Sequence, residues 1–286
     1  IPYCSFGIVA TQEVSIISPK HFVAERIATD GTNVIAAGQW KEDVSPGFVN
    51  RFVFCTMNVT NPARPDVAGM IVSSGPAFFG LAIRSNIAYV CNNNIGLNIY
   101  DVSNNYAPIQ IGNYNTPGFT RDVILVGNLA YIADITSLQI INISNPMSPS
   151  FVGSVPISSI QSVAIYNNVA YCCGDRLYAV DVANPASPTI LSSIAAPNPS
   201  GSLAAIKILS GIAYIAGGVG GVYSIDVNNP TNMVVLDILP EVSNGSANNI
   251  QVSYKRAYVA NNALGLWWID TTDPTNMALI SVWNGT

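Results

Sequence analysis

Short apolar runs, bounded by turn-forming clusters, follow one another down almost the whole chain, and no segment keeps the spacing of an amphipathic helix. Leu177-Tyr178-Ala179-Val180-Asp181-Val182 and Thr189-Ile190-Leu191-Ser192 show the pattern, being rich in β-branched and aromatic residues. Runs of about four to eight such residues between turns read as strands. The turn between these two runs is Asn184-Pro185-Ala186-Ser187-Pro188, and variants of it recur at Asn61-Pro62, Asn104-Asn105, Asn145-Pro146, Asn229-Pro230 and Asp273-Pro274. Proline fixes φ for the second position of a type I turn, and the preceding Asn or Asp closes an Asx turn, so each copy ends one strand and reverses the chain.

Aligned on a central tyrosine, the copies read Ala88-Tyr89-Val90, Ala130-Tyr131-Ile132, Ala170-Tyr171-Cys172, Ala213-Tyr214-Ile215 and Ala257-Tyr258-Val259, with tyrosines 42, 40, 43 and 44 residues apart. Four antiparallel strands in about 40 to 45 residues is the period of a propeller blade. The predicted fold is therefore all-β, a single β-propeller domain over residues 1–286. Residues 22–283 form six blades, near 22–74, 75–115, 116–156, 157–197, 198–240 and 248–283. The first blade is degenerate: Ile35-Ala36-Ala37 replaces the tyrosine strand, and an insertion from Gln39 to Asn50 lengthens its middle hairpin. Residues 1–21 are left over, and Phe6–Thr11 with Glu13–Ser18 look like two further strands. They are either an extra N-terminal hairpin on six blades or part of an incomplete seventh, and their unpaired edge is also a template for association between subunits.

The Ala-Tyr-Val-Ala strand, the Gly-Leu-x-Ile-x-Asp-Val strand and the Asn-Pro-x-x-Pro turn together resemble the LVIVD repeat of secreted and surface bacterial and archaeal proteins. Gly96-Leu97-Asn98-Ile99-Tyr100-Asp101-Val102 and Gly265-Leu266-Trp267-Trp268-Ile269-Asp270 carry the pattern best, and the resemblance covers residues 75–283. It implies a β-propeller outside the cytoplasm and brings no catalytic motif with it.

Composition narrows the chemistry. Apolar residues make up 49% and charged residues only 9%, with a net charge of −5, so Asn, Ser, Thr and Gly must cover the surface. Eleven basic residues, scattered singly, give no footprint for nucleic acid. The single histidine, His21, removes most zinc and histidine-based catalytic arrangements, and no cofactor is expected. No apolar run reaches the roughly 18 residues that span a bilayer. The Ile1-Pro2 start points to a processed chain or a fragment, and with the surface composition to an extracellular or cell-surface protein, including a virion or filament subunit. Of Cys4, Cys55, Cys91, Cys172 and Cys173, only Cys4 with Cys55 is a pair worth testing for a disulfide; Cys172 and Cys173 read as buried thiols.

The acids Asp101, Asp181, Asp226 and Asp270 share one repeat position, filled by Asn58 and Asn142 elsewhere. What Asp and Asn have in common is accepting backbone N–H bonds, so capping explains this series better than a metal ring. The tyrosine series reads as packing between blades. Trp267 and Trp268 fit the layer between blades, whereas Trp40 and Trp283 lie in loops or at edges. Gly217-Gly218-Val219-Gly220-Gly221 joins two strands and opens no helix, so it is a hairpin and not a phosphate loop.

In an up-and-down blade the first and third turns emerge at one end, and the second turn and the crossover to the next blade at the other. The irregular segments all belong to the second end. That end is the expected contact surface for a protein or glycan partner or for further copies of the chain, with candidates Trp40, Lys41, Glu42, Asp43, Asn93, Asp175, Arg176 and Asn261. The expected function is a non-enzymatic structural or interaction module. The alternative is a propeller hydrolase or lyase using inner-strand residues Glu25, Arg26, Arg121, Asp122 and Lys207 at a channel mouth. Reversing the charges from Lys41 to Asp43 is expected to weaken partner binding or assembly, measured by native mass and partner capture; unchanged behaviour counts against this surface.

Overall fold

The computed structural model describes residues 13–15, 20–44, 47–61, 65–73, 77–199, 201–241, 245–262 and 264–283. Among these there is no helix, and the strands form six antiparallel sheets of consecutive strands. The first sheet holds β1 (Glu13–Ser15), β2 (Lys20–Thr29), β3 (Val34–Val44), β4 (Gly47–Asn58) and β5 (Asp66–Val72). The second holds β6 (Leu81–Arg84), β7 (Ile87–Cys91), β8 (Leu97–Asp101) and β9 (Ile109–Tyr114). β10 (Asp122–Val126), β11 (Leu129–Ala133), β12 (Ile135–Asn142) and β13 (Ser150–Ile160) make the third, and β14 (Ser162–Tyr166), β15 (Val169–Cys173), β16 (Arg176–Asp181) and β17 (Thr189–Ala195) the fourth. The fifth comprises β18 (Ala205–Leu209), β19 (Ile212–Ala216), β20 (Val222–Asp226) and β21 (Val234–Leu239). The sixth comprises β22 (Ala247–Ser253), β23 (Arg256–Asn261), β24 (Gly265–Asp270) and β25 (Ala278–Trp283).

Each predicted blade is thus one sheet. The insertion in the first blade lengthens the β3–β4 hairpin, whose register runs from Val34↔Met57 to Val44↔Gly47. β1 pairs with the start of β2, Glu13 opposite Val23, and becomes a fifth strand of the first sheet. Phe6–Thr11 lie outside the described residues.

By contact the chain forms two compact units: Thr11–Ala130 with Ile141–Phe151, and Tyr131–Ile140 with Val152–Thr286. In the second of these, strand alternation gives each sheet two apolar faces. Ala213 and Ile215 of β19 join Tyr171, Cys173 and Leu177 of the fourth sheet in one core, while Tyr214 and Ala216 join Val259, Trp267 and Ile269 of the sixth in another. In the first unit Ile35, Ala37 and Phe54 pack on Ala88, Val90 and Tyr100, and the Phe54 and Tyr100 rings stack at 4.9 Å. Cys55, Cys91, Cys172 and Cys173 are buried thiols, and Cys173 belongs to the first of these cores. Burial pushes Cys55 and Cys172 up to about 12, so neither is a nucleophile at neutral pH. Cys4 lies outside the described residues.

A bulge recurs where the third strand of a blade meets the fourth, between Thr56 and Met57, Ile99 and Tyr100, Ala179 and Val180, Ser224 and Ile225, and Trp268 and Ile269. Just beyond it the outer strand carries a small or polar residue, onto which the Asn-Pro turn of the next blade packs. A Cβ at Gly112 would meet the Pro146 carbonyl oxygen at 2.1 Å, and one at Gly153 the Pro185 oxygen at 2.3 Å. Where the site is not glycine it supplies a hydrogen bond: Ser192 Oγ donates to the Pro230 carbonyl at 2.5 Å, and Asp237 Oδ2 accepts from Met277 N at 2.6 Å. Gly112→Ala and Gly153→Ala are expected to destabilise by about 1–3 kcal/mol through overpacking, and Ser192→Ala by about 1 kcal/mol through the lost bond. Thermal denaturation checks both, and an unshifted midpoint for either glycine variant contradicts the close approach.

Candidate functional site

The polar residues that repeat are consumed by turns. Asn58, Asp101, Asn142, Asp181, Asp226 and Asp270 each accept the backbone N–H two residues on, at 2.8–3.1 Å. Asn104, Asn145, Asn184, Asn229 and Asp273, three residues further along in each repeat, do the same at 2.9–3.3 Å. Tandem Asx turns of this kind satisfy donors that the strand ends would otherwise strand. The hydroxyl and then the N–H of Ser103 hold Asp101 below the usual carboxylate range; Thr272 does so for Asp270, helped by Arg256, and Thr275 for Asp273. Asp30 closes a similar turn, accepting from Thr32 N and Asn33 N.

The tyrosines are packed. Tyr89, Tyr131, Tyr171 and Tyr214 are buried, burial pushes their hydroxyls up, and Tyr171 Oη donates to the Val227 carbonyl of the next blade at 2.8 Å. Trp267 is fully buried, as expected. Trp268 is not: it is 43% exposed, with its ring edge-on to Tyr258 at 5.7 Å. Trp283 is also exposed.

Hydrogen bonds sort the turns to two ends. Val102 N, Ile143 N, Val182 N and Val227 N donate to carbonyls of the first turns at Asn86, Asn128, Asn168 and Gly211, which ties the first turn of each blade to the start of its third. At the opposite end second turns join crossovers, as Asn93 bridges Thr120 and Gly218 bridges Ala247. Asn93 lies there with φ 44° and a buried Oδ1 that has no hydrogen-bond partner. Asp175 is exposed in the second turn of the fourth blade, and Arg176 is held by Ser193, through Oγ at 3.1 Å. Asn261 is 2% exposed, which corrects its reading as a contact residue: it donates to both Glu241 carboxylate oxygens and accepts from Ser246 N, clamping a second turn to a crossover. Trp40, Lys41, Glu42 and Asp43 lie on β3, but their side chains fall outside the described residues.

Glu25 accepts from Gln39 Nε2 at 2.7 Å. Arg121 lies 4.2 Å over the Phe79 ring, with its Nε buried and unpartnered, and burial and then the Arg26 charge push its guanidinium down. Asp122 is next to it on β10, where its Oδ1 accepts from Val123 N. Lys207 lies on β18 in the other unit, opposite Tyr214. Among the described residues no three His, Cys, Asp or Glu side chains gather into a metal-sized cluster.

Sequence reasoning missed Asn92 and Asn98. Both are 4% exposed with Oδ1 atoms that have no partner, and with Asn93 they put three orphaned amide oxygens around the second turn of the second blade. The available signal was a departure from the repeat: Asn98 stands where later blades carry Tyr178, Tyr223 and Trp267.

The model of the LVIVD repeat matches five times, over residues 80–116, 117–156, 159–195, 200–238 and 244–284, more than half of the chain. The chain belongs to the LVIVD-repeat family. Its matched repeats coincide with the second to sixth sheets, and the degenerate first blade lies outside them. The β-propeller domain of Myceliophteria thermophila Cps50 (Swd1) is similar in fold, with a TM-score of 0.64 at 10% identity over 91% of this chain and 85% of that one. The computationally designed Ika8 protein gives 0.61 at 10% identity over 91% and 86%. No curated protein matches. The fold of this LVIVD-repeat protein is therefore a β-propeller of six four-stranded blades, with β1 added to the first. No helix among the described residues is long and apolar enough to cross a membrane.

Replacing Asp101, Asp270 and Asp273 of this LVIVD-repeat protein together by Asn keeps each acceptor and removes its charge. A carboxyl with a lowered folded-state pKa contributes stability that is complete above its unfolded value near 3.8 and is lost as pH falls through the folded value. The triple variant is expected to be less stable than the parent at pH 7, where the ionised carboxyls contribute, and to lose less stability as pH falls below about pH 4. Melting curves across that range test this; equal acid sensitivity would refute the capping account.

Proposed function

We propose that this LVIVD-repeat protein is a non-enzymatic interaction module outside the cell or at its surface, recognising a protein, a glycan or further copies of itself through the end that carries the second turns and crossovers. The observation that carries this reading is the contrast between the two ends. The first-and-third-turn end repeats one Asx motif whose Asp and Asn acceptors are engaged, with the Asn105 Oδ1 left unpartnered beside it. The other end varies from blade to blade and holds the orphaned amides of Asn92, Asn93 and Asn98. Buried polar groups without partners are costly and are retained where something else uses them. The family's association with secreted proteins and the sparse surface charge support an extracytoplasmic site.

Light scattering over a wide concentration range reads self-association, and a glycan array reads sugar recognition. Asp175→Lys with Arg176→Glu, at the irregular end, is expected to reduce whichever is observed, and Tyr106→Lys, exposed on a third turn, to leave it intact. The opposite pattern overturns the proposal. Turnover of a glycosidic or ester substrate that disappears in Glu25→Gln would overturn it in favour of a hydrolase.

A further inference from the structure

The repeat position three residues before the capping Asp or Asn is aromatic in the last three blades. Tyr223 and Trp267 are fully buried there, in cores that include Ile194 and Leu239 from the outer strand of the preceding sheet. In the third blade the equivalent Gln139 is satisfied locally, donating to Ser137 Oγ at 2.7 Å. In the second blade it is Asn98, and the ring it lacks leaves space. A cavity of about 320 Å³ lies between β5 and β8–β9. Its size is at the lower end of ligand pockets, about 300–1,000 Å³, and roughly ten times the volume that one structural water occupies.

The lining has two characters. Ile71, Phe78 and Tyr100 make an apolar wall, and Asn92, Asn98, Gln110 and Asn113 an amide wall. Asn98 Nδ2 donates to Tyr100 Oη at 3.2 Å, which orients the carboxamide and leaves Oδ1 as an acceptor without a donor. Asn92 Oδ1 is in the same state. No lining residue is charged, so the complement is neutral, and unpaired acceptors beside amide N–H groups call for a ligand whose groups both donate and accept. Hydroxyls do both, and a ring that bears them around its rim and C–H bonds on its faces matches both walls.

We propose that this cavity binds one neutral sugar ring, with Asn92 and Asn98 accepting from its hydroxyls, Gln110 and Asn113 donating to them, and the apolar wall covering its C–H face. The proposal rests on the recognition face described above and names its ligand. Free monosaccharides and the terminal residue of a glycan share this chemistry. Saturation-transfer NMR and calorimetry on the intact protein with glucose, galactose, mannose and N-acetylglucosamine test the first source, and a glycan array tests the second. At least one sugar is expected to saturate, with a dissociation constant on the order of 1 mM or tighter. Asn98→Tyr, which restores the ring of the other blades, and Asn98→Leu, which removes only the polar groups, should each weaken it at least tenfold. Binding on the array alone identifies a glycan terminus, and saturation by monosaccharide alone a free sugar. Absence of sugar binding in both formats, or equal affinity in both Asn98 variants, overturns the proposal. If the Asp175 and Arg176 changes still disrupt self-association in that event, the recognition face stands and only its sugar pocket falls.

Discussion

Each blade is held to the next by a backbone approach that leaves almost no room for a side chain. The second residue of an Asn-Pro turn points its carbonyl at the outer strand of the preceding blade, just past a bulge, and the site there must be glycine or supply a short polar group. A bulge twists and bends the strand that carries it, which brings this one position of the outer strand towards the neighbouring turn. The same contact is made by glycine at Gly112 and Gly153 and by a hydroxyl at Ser192. Threonine and serine on the third strand use it too, as Thr56 Oγ1 donates to the Asn105 carbonyl and Ser224 Oγ to that of Pro274.

That constraint explains why so much of the polar sequence is unavailable for chemistry. A turn that must fit closely against its neighbour has to be rigid, and the tandem Asx bonds from each Asp or Asn pair make it so. Asp101, Asp270 and Asp273, held in this way, lie below the usual carboxylate range and are already bonded, which disfavours their use as general acids or bases. The tyrosines are likewise committed, with Tyr171 bonded across the blade boundary. Chemistry and recognition are left to positions where the repeat departs from itself.

Those departures differ in kind. At Gln139 an amide replaces an aromatic and is repaired within its own strand by Ser137. At Asn98 the replacement is left open, with an unpaired oxygen and a cavity beside it. At Trp268 the pattern is kept, yet the ring is 43% exposed where Ile99 and Ile140 of earlier blades are fully buried. An interaction protein built from repeats gains its specificity at such sites, because the regular positions are fixed by packing between neighbours.

Strand identity, blade boundaries and the capping role of Asp101, Asp181, Asp226 and Asp270 were legible in the sequence, because each rests on interactions a few residues apart that recur in register. Alternation, turn propensity and side-chain bonds to backbone two residues on are local, and five similar copies state them five times. The function of Asn261 as a clamp, the exposure of Trp268, the docking of Glu13–Ser15 onto β2 and the opening beside Asn98 were decided only in three dimensions. Each depends on which residues from distant strands lie across a blade boundary, and burial there is set by the neighbour's side chain and not by the residue's own type.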